Sequence, residues 1–286
     1  MMNAKTIRLE DWIGSRESAV DLVTAAKVAA MAATLDRDDP PPREGDPLPP
    51  LWHWMFHAPI ARQSALGPDG HPARGGFMPP VPLPRRMFAG GRMRFLRPIR
   101  VGDTITRAGE VISVTPKTGR TGALVFVTVR YVISTAAGPA VEEEQDIVYR
   151  GTPSAAAPAI AETADHSDKP WRRVIEPDPV MLFRYSALTF NGHRIHYDHP
   201  YVTEIEGYPG LVIHGPLIAT CLAELCRDQG GRALAEFAFR ARSPLFTPSP
   251  FTVVGGPDAA GTGCAVVAVG PGGEAAMTAT ASFADS

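Results

Sequence analysis

The sequence predicts an α+β protein built twice over, each unit an apolar helix followed by an antiparallel meander. Three observations predict it. The chain has 286 residues, room for about two domains. Period-two hydrophobic runs cluster in two blocks, each preceded by a helical pattern. Between the blocks, residues 152–169 (TPSAAAPAIAETADHSDK) carry Ala, Pro and Ser without periodicity, the composition of a linker. The expected units are therefore 1–151 and 170–286.

In the first unit, Ala19, Leu22, Val23, Ala26, Ala30 and Ala33 recur at helical spacing. They predict a helix over 16–35 with Ser15 as its N-cap. It must stop in DRDDPPPREGDPLPP, where Pro removes backbone donors. The aromatic patch LWHWMF (51–56) follows. The stretch after it, with turn signals GPDG and GG, is too long for a simple connector and reads as a binding loop or a lid. Strands are expected near 91–97, 104–115, 122–135 and 140–149. In the second unit, 183–210 reads as loop. A helix is expected over 215–225 with Gly230-Gly231 as its stop, then strands near 235–243, 250–256, 262–269 and 274–283. AGGRMRFLRPIRVGD and LAEFAFRARSPLFTPS resemble each other weakly, which suggests a duplicated unit.

Composition excludes several classes. Gly 27 and Pro 29 are abundant without a collagen repeat, so they mark turns. A net charge of −2 provides no field for nucleic acid. Cys221, Cys226 and Cys264 are too few for a disulfide scaffold and sit among apolar residues, so a reducing compartment is expected. Met1 to Ser15 has no secretory pattern and no run is apolar enough to span a bilayer. A cytoplasmic protein is the expectation.

Chemistry concentrates in FRYSALTFNGHRIHYDHPYVTEIEGYPGLVIHGPL (183–217), which holds four of the eight histidines just ahead of an apolar helix. The segment resembles the active-site signature of the MaoC-like hydratases of the hot-dog fold: TFNGHRIH (189–196), HYDHPYV (196–202) and IHGPLIAT (213–220) fall on its three parts. PPLWHWMF, the DGHP…GGFMPPVPLPRRMFAGGRMRF block and RYSALTFNGHRIHYD resemble a narrower branch. That branch is the double hot-dog hydroxyacyl-thioester dehydratases with a FAS1-like N-terminal half, which includes mesaconyl-C4-CoA hydratases and type 2 3-hydroxyacyl-thioester dehydratases.

The resemblance implies a double hot-dog fold and a hydro-lyase acting on an enoyl-CoA, with no cofactor beyond the CoA of the substrate. A mesaconyl-C4-CoA (3-methylfumaryl-CoA) type substrate is favoured, and a straight-chain 3-hydroxyacyl group on CoA or acyl carrier protein is the alternative. The family's Asp and His, five residues apart, fall on Asn191 and His196. An amide does not titrate, so His196 is left as the acid–base group. Asn191 would hold the water, and Asp198 is a candidate to orient His196 or to replace the missing carboxylate. Gly215, at the start of the helix, is the candidate oxyanion donor.

Tyr185, Thr189 and His214 are further candidates near the substrate. Arg184 or Arg194 is a candidate for a free acyl carboxylate. Arg92 and Arg94 share one strand face and are candidates for CoA phosphates. His193, His196, Asp198 and His199 fit no zinc motif, so no metal is expected. Glu224 is the carboxylate a thioesterase would need on the helix, and an acyl-binding module without turnover is a third reading. The first unit lacks the Asn–His signature and is expected to shape the pocket. Monomer and homodimer are equally compatible with two hot-dog units in one chain.

Overall fold

A computed structural model describes residues 8–119, 122–151, 163 and 165–285. Ten strands form one antiparallel sheet in the order β1-β3-β4-β5-β2-β7-β10-β9-β8-β6. The first five strands come from the first half of the chain: β1 (Arg16–Leu22), β2 (Arg85–Phe95), β3 (Thr104–Gly119), β4 (Gly122–Thr135) and β5 (Gly138–Arg150). The other five are β6 (Trp171–Ile175), β7 (Leu234–Ala241), β8 (Phe251–Pro257), β9 (Gly263–Val269) and β10 (Ala275–Phe283). The halves join where β2 pairs with β7, from Gly90 opposite Arg240 to Arg94 opposite Glu236. These are the two segments whose sequences resemble each other. The expected linker lies mostly in 152–162 and 164, outside the described residues.

Three α-helices pack with the sheet: α1 (Ala25–Thr34), α2 (Pro179–Thr189) and α3 (Gly215–Gly230). The expected helix over 16–35 is corrected to a strand followed by a shorter helix. Ser15 caps nothing; Thr24 accepts the Lys27 N–H at the helix start. β1 pairs only with β3, and no residue of β1 is buried, so it has no apolar stripe to announce it. The expected loop over 183–210 is corrected at its start: residues 183–189 are the end of α2, which Asp178 caps through the Met181 N–H and Pro179 opens.

α3 is the core helix. Every residue from Leu217 to Cys226 is buried, and Gly231 ends it in the left-handed region at φ 63°. Cys226 and Cys264 are buried free thiols 3.3 Å apart. No helix among the described residues is long and apolar enough to cross a membrane.

Candidate active site

A cleft of about 2600 Å³ runs between the two halves, lined from both. The C-terminal half contributes the loop after α2. Phe190 ends that helix in the left-handed region at φ 52°, a conformation uncommon for a bulky residue. The turn directs Asn191 into the loop, where its Oδ1 accepts the His193 N–H at 3.0 Å.

His196 lies in a short 3-10 turn and is buried. Its Nδ1–H donates to the Val212 carbonyl at 2.7 Å. That bond fixes the tautomer and leaves Nε2 with its lone pair. His214 lies behind it, fully buried, with ring centroids 3.6 Å apart and planes at 18°. Ser186 Oγ lies 2.8 Å from His214 Nε2. His193 meets His196 edge-on at 5.4 Å and packs against His71 at 4.1 Å. Four imidazoles thus form one file through the cleft wall.

His71 arrives from the other half of the chain. Asp69 accepts its ring N–H at 3.2 Å and its backbone N–H at 3.1 Å. The long loop after the aromatic patch is therefore docked on the segment that carries Asn191 and His196: Arg194 donates its backbone N–H to Asp69 O at 2.9 Å and its guanidinium to Pro68 O at 3.0 Å. Asp69, His71 and His193 each present one ligand atom, all within 4.8 Å of one another. The His–Asp hydrogen bond already accounts for that closeness, so the donor set has a use without an ion.

Burial sets the charge of this file. Desolvation pushes His193 and His196 down to about 3, with the charge a protonated His71 would carry adding to the effect at His193 and that of a protonated His193 at His196. Burial also lowers His71 and, strongly, His214. Asp69 is held well below the usual carboxylate range by its bonds to His71, against its own desolvation. All four rings are neutral at pH 7.

A stability prediction follows. The folded pKa of about 3 for His193 and His196 lies below the unfolded value near 6.5. Between those values the unfolded chain binds protons that the native state does not, so stability falls as pH drops below 6.5. At pH 5 each such histidine costs on the order of 2 kcal/mol. The denaturant midpoint at pH 5 is expected well below that at pH 7.5. Over this interval carboxylates remain largely ionised, so equal midpoints would show that the rings are solvated in the fold.

The structure brings some of the sequence-derived residues together and separates others. Asn191, His196, Gly215, Tyr185, Thr189 and Arg194 line the cleft. Tyr185 is buried against His214 at 4.9 Å. Thr189 donates its hydroxyl to the Tyr185 carbonyl at 2.8 Å. Asp198 does not orient His196; it pairs with Arg194 and accepts the Tyr201 N–H, while Val212 holds the imidazole. Arg194 is thereby occupied, and it also lies over the Tyr201 ring at 4.1 Å.

Arg184 is exposed on α2 and His214 is sealed behind His196, and neither lines the cleft. Arg92 pairs with Glu144 and Asp146, and Arg94 with Glu142 and Glu236, on the exposed face of the sheet. Those two arginines also lie away from the cleft lining.

Gly215 begins α3 next to Pro216, so its N–H is one of the helix's unpaired terminal donors. A Cβ built there would touch Phe88 at only 3.7 Å, an ordinary contact. Packing against the protein does not demand glycine at this point. Glu224 is not in the cleft wall. It is buried in α3, where Trp52 Nε1 donates to it at 2.9 Å and Arg37 and Arg227 pair with it.

The sequence reading missed the contributions of the first half: Asp69 and His71, and a buried His53–Glu143 pair at 2.7 Å that also takes the Trp54 indole N–H. DGHP was visible as a motif, but nothing local showed where it docks.

A two-unit hot-dog sheet with a cleft lined by both His196 and the start of α3 is the architecture of the MaoC-like hydratases and dehydratases. A solved MaoC-like dehydratase shares the fold, with a TM-score of 0.71, 16% identity and coverage of 98% of this chain and 100% of that one. The profile of the hydroxyacyl-thioester dehydratase type 2 family matches residues 51–247, and the chain belongs to that family of hydro-lyases. It is 49% identical over 271 residues to mesaconyl-C(4)-CoA hydratase of Chloroflexus aurantiacus, spanning 94% of this chain and 95% of that one. It is 29% identical over 235 residues to the mitochondrial hydroxyacyl-thioester dehydratase type 2 of Schizosaccharomyces pombe, covering 72% and 77%.

Proposed function

We propose that this enzyme adds water across the α,β double bond of an enoyl-CoA of the mesaconyl-C4-CoA type, with His196 as its acid–base group. The observation that carries the proposal is the pinned imidazole: Nδ1–H is committed to Val212 O, so Nε2 is the atom left to meet water. Similarity to the Chloroflexus hydratase over nearly the whole chain supports the acyl group.

In the forward direction His196 Nε2 takes a proton from water as the water oxygen bonds the β-carbon. The π electrons move to the thioester oxygen, where the Gly215 N–H at the start of α3 receives the charge. His196 then returns the proton to the α-carbon. Asn191 holds the water through its amide without titrating. Tyr185 and Thr189 shape the wall beside the reacting carbons, and Arg194 keeps the catalytic loop seated on Pro68 and Asp69. No step calls for a cofactor or a metal.

Both halves of the site lie in one chain, which suits a monomer or a dimer of whole chains. Buried free thiols suit a reducing compartment such as the cytoplasm.

The test is an ultraviolet assay at the enoyl-thioester absorbance, run with mesaconyl-C4-CoA and crotonyl-CoA in the presence of a thiol reagent. Loss of absorbance without thiol release, faster with mesaconyl-C4-CoA, is expected. Thiol release, or no loss with either substrate, would overturn the proposal.

A further inference from the structure

Arginines that line the cleft differ in what already holds them. Arg194 is paired with Asp198, Arg85 with Glu206 and Arg107 with Glu17. Arg74 donates to the carbonyls of Val81, Leu83 and Pro84. Arg240 and Arg242 are exposed at the cleft, and Arg150 lies half-buried in its wall without a side-chain partner among the described residues. Arg86 also lines the cleft and is half-buried, and its side chain makes no ion pair or hydrogen bond with a described residue; it differs from Arg150 in what it faces. Directly opposite it across the β2–β5 ladder stands Tyr149. Tyr149 is fully buried in the cleft wall, and its hydroxyl has no partner among the described residues.

Directly opposed residues of an antiparallel pair project to the same face, so the guanidinium and the phenol share one wall. Phe88 lies two residues along β2 on that face, about 7 Å away. Phe88 is also the residue a Cβ on Gly215 would touch. Arg86 and Tyr149 therefore lie one strand repeat from the start of α3, where the thioester oxygen belongs. The positive charge of Arg86 also reaches His71 and His193 and helps to keep both rings neutral. Alkyl carbons placed here would leave a cation and a hydroxyl desolvated without partners. A carboxylate would satisfy both.

We propose that Arg86 and Tyr149 together receive a free carboxylate at the far end of the acyl group, so that the site selects short dicarboxylic acyl thioesters over alkyl ones. This rests on the hydratase reading above and assigns its specificity to the first half of the chain, in place of Arg184 and Arg194.

The experiment compares kcat/KM for mesaconyl-C4-CoA and crotonyl-CoA in the wild type, Arg86→Gln and Tyr149→Phe. In Arg86→Gln the mesaconyl-to-crotonyl ratio is expected to fall roughly 30-fold or more, mainly through KM, as when one partner of a buried charge pair is removed. A fall of less than about tenfold overturns the proposal.

Tyr149→Phe keeps the ring under Arg74 and removes only the hydroxyl. If Arg86→Gln does not fold, this variant decides: a ratio lowered about fivefold or more supports the proposal, and a smaller change overturns it. A wild type that hydrates crotonyl-CoA but not mesaconyl-C4-CoA overturns the carboxylate site and leaves the hydratase reading standing. A wild type that hydrates neither overturns the hydratase reading itself.

Discussion

Replacing His196 with Ala is expected to lower kcat at least ~10²-fold, the lower scale for removal of an acid–base group, with a smaller change in KM. The geometry explains why the loss falls on the chemical step. Val212 fixes the ring through Nδ1, and His214 stacks on it at 3.6 Å, so the imidazole has one orientation and one available nitrogen. The same surroundings hold its pKa down to about 3. A proton taken from water makes an imidazolium beside three other buried rings, and that ion is a strong acid. In the proposed mechanism that favours return of the proton to the α-carbon, so one histidine would serve as base and then acid where Asn191 does not titrate.

The sign for pH follows. His196 is in its basic form above about 3, so the acid limb of kcat/KM is expected below pH 5 and not near the ordinary 6.5. Rates must be read before acid unfolding begins. A near-normal kcat in His196→Ala would remove this residue from the mechanism.

Much of this arrangement was legible in the chain, for identifiable reasons. β3, β4 and β5 alternate apolar and polar residues over ten positions or more, and their expected bounds fall close to the observed ones. α3 has an unbroken apolar run and a glycine that takes the left-handed stop. β1 and β6 are edge strands with exposed or half-exposed residues throughout, so no period marks them. α2 exposes Phe183 and Arg184 and buries few residues, which hides its amphipathy.

In the candidate site, the contiguous segment held Asn191, His196 and Gly215, and all three line the cleft. Asp198 misled because closeness in sequence suggested contact with His196. The turn instead sends its carboxylate back to Arg194, four residues earlier. Residues such as His71, Arg86 and Tyr149 reach the cleft only through pairing of distant strands and docking of a long loop. No local pattern encodes those contacts.

That docking leads to the second large effect. Gly70→Ala is expected to destabilise the protein by about 2–4 kcal/mol and to lower kcat/KM at least ~10-fold in the molecules that remain folded. Gly70 has φ +86°, which L side chains rarely adopt, and its Cβ would strike the carbonyl oxygen of Gly192. That obstacle is backbone and cannot rotate away. In the reverse direction, a Cβ on Gly192 would stand 2.9 Å from the Gly70 oxygen, so the two glycines allow the chains to lie back to back. Immediately before Gly70, Asp69 O and Pro68 O hold Arg194. Any separation that relieves the collision must therefore move the segment from Asn191 to His196, and a displacement of about 1 Å at a catalytic group is enough to cost a large factor in rate. Gly76 lies in the same loop with nothing within 4 Å of its Cβ and no positive φ, so Gly76→Ala is the matched control. Melting temperature and kcat/KM of the two variants check the argument together. Wild-type values in Gly70→Ala would mean that the loop does not rest on the catalytic segment in solution, and the Asp69–His71 pair would then have no place in the site.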